Sequence, residues 1–172
     1  MDKKKNIVLI GFMGTGKTAV GTRLAARLGR EFVDTDKEVE KVTGLAVRDI
    51  FLKHGQTRFR SEEALIVQKL AAGKGLVIAT GGGSIINPEN LTLLKEDGIL
   101  VCLQAEPEEI LRRVNKKRHT RPLIKKSMTA EDILELLRER QEYYDNADLF
   151  VDTSRLEPDE IVNKILQKLN ER

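Results

Sequence analysis

Five short runs rich in aliphatic residues punctuate the chain, and the stretches between them repeat apolar residues at helical spacing. The runs are NIVLI (6–10), EFVD (31–34), LVIAT (76–80), ILVCL (99–103) and LFVD (149–152). A strand covered on both faces loses the polar–apolar alternation of a half-exposed one, so these runs predict a parallel sheet buried on two sides. TAVGTRLAARLG, DKEVEKVTG, AVRDIFLKHG, SEEALIVQKLAAGKG, PEEILRRVNKK, AEDILELLRERQEYY and PDEIVNKILQKL predict the covering helices. Strand and helix alternate, which is the pattern of an α/β domain. NKKRHTRPLIKKSM (115–128) stands apart: it is basic, contains a proline and has no helical period, so it predicts a mobile loop.

Composition narrows this picture without redirecting it. With 172 residues and 40% hydrophobic content, the chain can bury one core, and a single domain spanning 1–172 is expected. The net charge of +3 favours phosphorylated or carboxylated ligands slightly. It falls short of a nucleic-acid footprint, and the basic 115–128 stretch lacks interleaved aromatics. No apolar run approaches the ~18 residues of a membrane span, and no leader is evident at MDKKKN, so a cytoplasmic setting is expected. Cys102, inside ILVCL, reads as a buried core thiol.

The chemistry begins at GFMGTGKT (11–18), directly after the first run. Gly11, Gly16, Lys17 and Thr18 satisfy G-x-x-x-x-G-K-[ST]. Glycines let the backbone curl until several N–H groups converge on phosphate oxygens, and the following helix adds the positive end of its dipole. Lys17 can reach the terminal phosphates and the Thr18 hydroxyl can sit on Mg²⁺. No N-K-x-D element supports a GTPase, and LVIATGGGSII stands where a motor ATPase would end a strand in acidic residues. Gly81, Gly82 and Gly83 read either as a tight turn or as backbone that a substrate lies against. Asp34 and Asp36 have two readings as well. TDKE fits a capping box with Thr35 as cap and Glu38 as partner; alternatively, one carboxylate orients hydrated Mg²⁺ and the other binds an acceptor hydroxyl or takes its proton.

GFMGTGKT, FVDTD, Phe59-Arg60, Gly81–Gly83, TRPL (120–123) and ERQEYY (139–144) follow one another in the order and spacing of shikimate kinase, and the chain resembles that family throughout. The resemblance implies a P-loop three-layer sandwich of nucleoside-monophosphate-kinase type, with a five-stranded parallel sheet, helices on both faces and a mobile lid over roughly 112–126. It implies ATP-dependent phosphorylation of shikimate to shikimate 3-phosphate, with Mg²⁺, on the route to chorismate and the aromatic amino acids. Gly14, Thr15, Gly16, Lys17, Thr18 and Ala19 would hold the phosphates, with Thr18 and Asp34 at the metal. Thr15 and Ala19 stand where many members carry other small residues; there the backbone does the binding, and little consequence is expected. A helical segment over roughly 34–62 would hold the acceptor. In it, Asp36 would bind ring hydroxyls, and Arg60 and Arg140 would clamp the carboxylate beside Gly82. Lys17, Asp34 and Arg121 would be catalytic, Arg121 swinging from the lid onto the transferred phosphate. Arg113 and Arg155 would flank adenine. The family is mostly monomeric, so a monomer is expected.

Elementary chemistry is consistent with this division of labour. A small ring bearing one carboxylate and several hydroxyls calls for cationic forks at one end and a hydrogen-bond-accepting carboxylate at the other. A lid would exclude water, which otherwise competes for the phosphoryl group. Taken singly, each arginine has an ordinary reading: Arg60 beside Glu62 and Glu63, Arg140 beside Glu135, Glu139 or Glu142, and Arg121 as a loop residue. A kinase of another polyol acid such as gluconate shares the phosphate loop but has no need of GGG with both arginines. A nucleotide-dependent switch needs no acceptor site at all. His54 and His119 show no metal-ligand spacing.

Overall fold

The computed structural model describes residues 4–116 and 128–172. In chain order the elements are β1 (Asn6–Ile10), α1 (Lys17–Leu28), β2 (Phe32–Asp34), α2 (Thr35–Thr43), α3 (Val47–Ala71), β3 (Val77–Ala79), α4 (Pro88–Glu96), β4 (Gly98–Gln104), α5 (Pro107–Lys116), α6 (Ala130–Tyr144), β5 (Leu149–Asp152) and α7 (Pro158–Asn170). All five strands form one parallel sheet in the order β2-β3-β1-β4-β5. Each falls within a residue or two of an aliphatic run read from the sequence. Central β1 pairs on both sides, Leu9 standing beside Ala79 on one and Val101 on the other.

Alternation along β1 divides the core into two layers. Val8 and Ile10 join Val67, Leu94, Ile110 and Ile133 on one face, while Ile7 and Leu9 join Leu24, Ile161 and Ile165 on the other. Helices α1 and α7 therefore cover one side, and α3, α4, α5 and α6 cover the other. Each fully buried aliphatic side chain contributes about 1.5–3 kcal/mol of transfer free energy. Cys102 belongs to this core, and burial pushes its thiol up to about 12. Among the described residues no helix is long and apolar enough to cross a membrane.

Two details depart from the sequence pattern. The stretches expected as separate helices, AVRDIFLKHG and SEEALIVQKLAAGKG, run together as α3, interrupted only at Gly55, whose φ of 82° and ψ of 171° are non-helical. Helix α4 was not singled out by periodicity, although Asn87 caps it, accepting from Glu89 N at 2.9 Å, and Pro88 opens it. Of the range 112–126 expected as a lid, residues 112–116 end α5, and 117–127 lie outside the described residues.

Candidate active site

A parallel sheet delivers the ends of all its strands to one edge, and here every strand end carries chemistry. The phosphate loop leaves β1, Asp34 to Asp36 leave β2, Thr80 to Gly83 leave β3, and Thr153 follows β5. The chain turns from β1 towards β2 on one side and from β4 towards β5 on the other, so a crevice opens beside β1.

The loop wraps its own lysine. Lys17 Nζ donates to Gly11 O at 2.7 Å and Phe12 O at 2.9 Å, which puts the ammonium at the loop's centre. Gly14 and Gly16 hold φ values of 83° and 96°, conformations that a side chain would strain. Gly16 caps α1 with no side-chain hydrogen bond, leaving backbone N–H groups at the helix start to face an anion. Thr15 is buried, its hydroxyl donating to Phe12 O at 2.8 Å, so its side chain braces the loop from within.

At Asp34 to Asp36 the structure corrects the expected cap. The cap of α2 is Asp34, not Thr35: its Oδ1 accepts from Asp36 N at 3.0 Å and Lys37 N at 3.4 Å. Its Oδ2 accepts from the Thr18 hydroxyl at 2.8 Å. Thr35 is drawn inside instead, because its hydroxyl accepts from Gly81 N at 3.0 Å and is buried there. The chain is extended at Asp34, as an N-cap requires, and its carboxylate accepts from the free N–H groups of the first turn.

The acceptor side is built on the three glycines. A Cβ on Gly81 would lie 2.7 Å from Glu63 Oε1 and 2.8 Å from Asp36 Oδ1; one on Gly83 would lie 2.6 Å from Arg60 Nη2. A side chain at either position would have to displace these groups, so glycine lets Asp36, Arg60 and Glu63 crowd against the turn. Gly82 lies on the phosphate loop itself, its Cβ position 3.2 Å from Met13 N. Arg60 pairs with the buried Glu63 at 2.5 Å, and Arg140 donates to Gly82 O at 3.3 Å with its guanidinium 5.1 Å from the Phe12 ring. Phe51 and Phe59, ring centroids 4.8 Å apart, close the wall beside Arg60.

Electrostatics separates the two aspartates. Burial, and then the charges of Asp34 and Glu63, push Asp36 up to about 6, against the pull of Lys17 and Arg60. Its Oδ1 has no hydrogen-bond partner among the described residues, so a buried acceptor is left to be satisfied. Burial likewise raises Glu63, offset in part by Arg60 and the Ser84 hydroxyl.

On the opposite flank, Thr15, Gly16, Ala19, Arg113, Arg155 and Pro158 are among the residues lining a cleft of about 440 Å³. Arg113 is fixed edge-on: Nε donates to Glu109 at 2.6 Å, Nη2 to Thr153 O at 2.6 Å and Nη1 to Thr153 Oγ1 at 3.0 Å. A guanidinium held by its edges keeps its flat face for stacking. Hydrogen bonds from Arg112 and then Arg113 hold the Glu109 carboxyl down at about 2. Arg155 is largely exposed at the rim, 3.9 Å from Glu106.

The structure brings together every site residue read from the sequence except Arg121, which lies outside the described residues. Sequence reasoning read Thr35 only as a cap and Glu63 only as a neighbour of Arg60, and gave no role to Tyr144 or Thr153. Spacing offered a hint for two of them: Glu63 stands at i+3 from Arg60, and Tyr144 at i+4 from Arg140. Thr18 and Asp34 together present a hydroxyl and a carboxylate, hard oxygen donors that suit Mg²⁺. Among the described residues no group of three or more His, Cys, Asp or Glu could hold a metal. Mg²⁺ commonly takes few protein ligands and fills its shell with phosphate oxygens and water.

Known proteins can now be set beside this geometry. The shikimate kinase family model matches residues 13–170. The shikimate kinase of Pelotomaculum thermopropionicum is 58% identical over 97% of this chain and 96% of its own length. That of Desulforudis audaxviator is 51% identical over 98% and 88%. Among solved structures, shikimate kinase from Acinetobacter baumannii in complex with shikimate superposes with a TM-score of 0.92 at 38% identity, covering 98% of this chain and 94% of that one. The Aquifex aeolicus shikimate kinase gives 0.83 at 37% identity, with 96% of each chain covered. By family model, by near-full-length identity and by fold, the chain belongs to the shikimate kinase family.

Proposed function

We infer that the protein transfers the γ-phosphoryl group of ATP to a hydroxyl of shikimate, giving shikimate 3-phosphate and ADP. One observation carries the assignment of sites: Arg60, Arg140 and Asp36 converge on the same glycine turn, and that turn rests on the phosphate loop. A ring clamped there by its carboxylate would present its hydroxyls to the loop. The Acinetobacter relative was solved with shikimate bound, which supports shikimate as the acceptor.

In this reading the loop from Gly14 to Ala19 cradles the phosphates, and Lys17 exchanges its carbonyl partners for γ-phosphate oxygens. Arg60 and Arg140 receive the acceptor carboxylate. Asp36 Oδ1, a buried acceptor atom with no partner, takes the hydrogen bond of a ring hydroxyl. The hydroxyl oxygen forms a bond to the γ-phosphorus as the bond from that phosphorus to the ADP oxygen breaks, and the hydroxyl proton leaves towards a carboxylate or water. Asp34, held at both oxygens by Thr18 and the start of α2, orients its neighbours. Thr18 and Asp34 would hold Mg²⁺, which when bound offsets the negative charge on the phosphate oxygens. Arg121 is assigned to the transferred phosphate and residues 112–126 to the lid by resemblance. Arg113 and Arg155 flank the base across the 440 Å³ cleft. A cytoplasmic monomer is proposed, as the sequence and the family resemblance lead one to expect.

ADP release from ATP and Mg²⁺ should depend on shikimate and be unmoved by gluconate. Stimulation by gluconate would require a redrawn acceptor site, and acceptor-independent hydrolysis would favour a switch.

A further inference from the structure

Helix α6 sends two donors to a single acceptor. Arg140 Nη1 donates to Gly82 O at 3.3 Å, and one turn later the Tyr144 hydroxyl donates to the same oxygen at 3.2 Å. Residues at i and i+4 share a helix face, and a carbonyl oxygen has two lone pairs, so both bonds can form together. Both donors therefore meet at one oxygen, with Phe12 beneath the guanidinium at 5.1 Å. Tyr144 is only 4% exposed, and its burial pushes the phenol up to about 12, so it remains a protonated donor through the working range of an enzyme.

Arg140 is long, with about 2 kcal/mol of rotamer entropy to lose if it is to present its fork in one orientation. Stacking on Phe12 sets the plane of the guanidinium, but stacking alone leaves it able to turn within that plane. The bond to Gly82 O is the guanidinium's anchor, and the Tyr144 hydroxyl, bonded to the same oxygen, holds that anchor in place. The same hydroxyl also fixes the peptide between Gly82 and Gly83, part of the turn against which Arg60 packs.

We propose that Tyr144 is a positioning residue for the acceptor's carboxylate, tying the Arg140 guanidinium and the Gly82–Gly83 peptide into one rigid corner. The inference rests on the reading of Arg140 as half of the carboxylate clamp. Tyr144 acts through Arg140, so its effect belongs in acceptor binding and not in phosphoryl transfer.

A double-mutant cycle in steady-state kinetics tests this. Tyr144→Phe keeps the ring and removes only the hydroxyl. It should raise the KM for shikimate about fivefold, while kcat and the KM for ATP stay within about twofold. In an Arg140→Ala background the same change should add less than about twofold, because the group it orients is gone. An equal rise in both backgrounds would overturn the inference, showing that the hydroxyl serves packing alone. An unchanged KM in Tyr144→Phe, with Arg140→Ala impaired, would also overturn it and leave the clamp standing. Normal shikimate affinity in Arg140→Ala would overturn the clamp itself.

Discussion

The two flanks of the crevice are built on opposite principles. On the nucleotide side the polar groups are already spoken for: Lys17 is bound to two loop carbonyls, Asp34 to Thr18 and the start of α2, and Arg113 to Glu109 and Thr153. On the acceptor side Asp36 and Glu63 are crowded against one glycine, both raised by burial, and Asp36 keeps an oxygen without a partner. The phosphate cradle is thus complete before a ligand arrives, because backbone groups need only the right turn to form it. The acceptor wall holds desolvated charge at a cost that a bound ring with its hydroxyls and carboxylate would offset. A site of this kind gains specificity, since an acceptor lacking those groups leaves the cost in place.

The comparison can be broken most decisively from the nucleotide side. Lys17→Ala should lower turnover by about a thousandfold or more, with a thermal midpoint within a few degrees of the parent, because the ammonium serves the phosphates and not the core. Retained turnover would refute the loop assignment.

On the acceptor side, Arg60→Ala should weaken shikimate binding by about 2–4 kcal/mol and also lower stability, since it strands the buried carboxylate of Glu63. Adding Glu63→Gln should restore much of the stability but none of the affinity. If the double variant recovered affinity in titration calorimetry, Arg60 would not be a clamp.

Asp36→Asn should cost activity yet stabilise the free protein by about 1–3 kcal/mol near neutral pH. The sign follows from a folded-state value near 6 against an ordinary 3.8. Ionised Asp36 penalises the folded state, the penalty growing as pH rises from about 4 to 6 and standing at its full value above that. The advantage of the variant should therefore shrink as pH falls below 6. A gain independent of pH, measured by denaturant titration, would contradict the desolvation account.

An effect on stability of similar size but opposite sign is expected at Gly55, whose backbone a side chain strains although a Cβ there meets nothing within 4 Å among the described residues. Gly55→Ala should cost about 1–3 kcal/mol, felt as lower stability or as a raised KM for shikimate, because the break joins the Phe51 and Phe59 halves of α3. An effect below a few tenths of a kcal/mol in both readouts would show that the break relaxes freely.

Much of this molecule was legible before folding. The aliphatic runs marked the five strands, and the spacing of Gly11, Gly16, Lys17 and Thr18 marked the loop, because periodicity and short motifs are properties of neighbouring residues. The ordered set of GGG, Arg60 and Arg140 pointed to the acceptor site through resemblance, not through local physics. What sequence could not show was how groups distant along the chain share their bonds. It offered Thr35 as the cap of α2; the fold uses Asp34 instead, because Thr35 is claimed by Gly81, 46 positions away. Arg140 reaches Gly82 across 58 positions, and Arg113 reaches Thr153 across 40. Such pairings depend on the strand order β2-β3-β1-β4-β5, which local pattern does not encode. Sequence alone thus determined the layers and the phosphate loop. Tertiary structure decided which carboxylate is satisfied and which is left waiting, because burial and long-range hydrogen bonds exist only once the sheet has set its strands side by side.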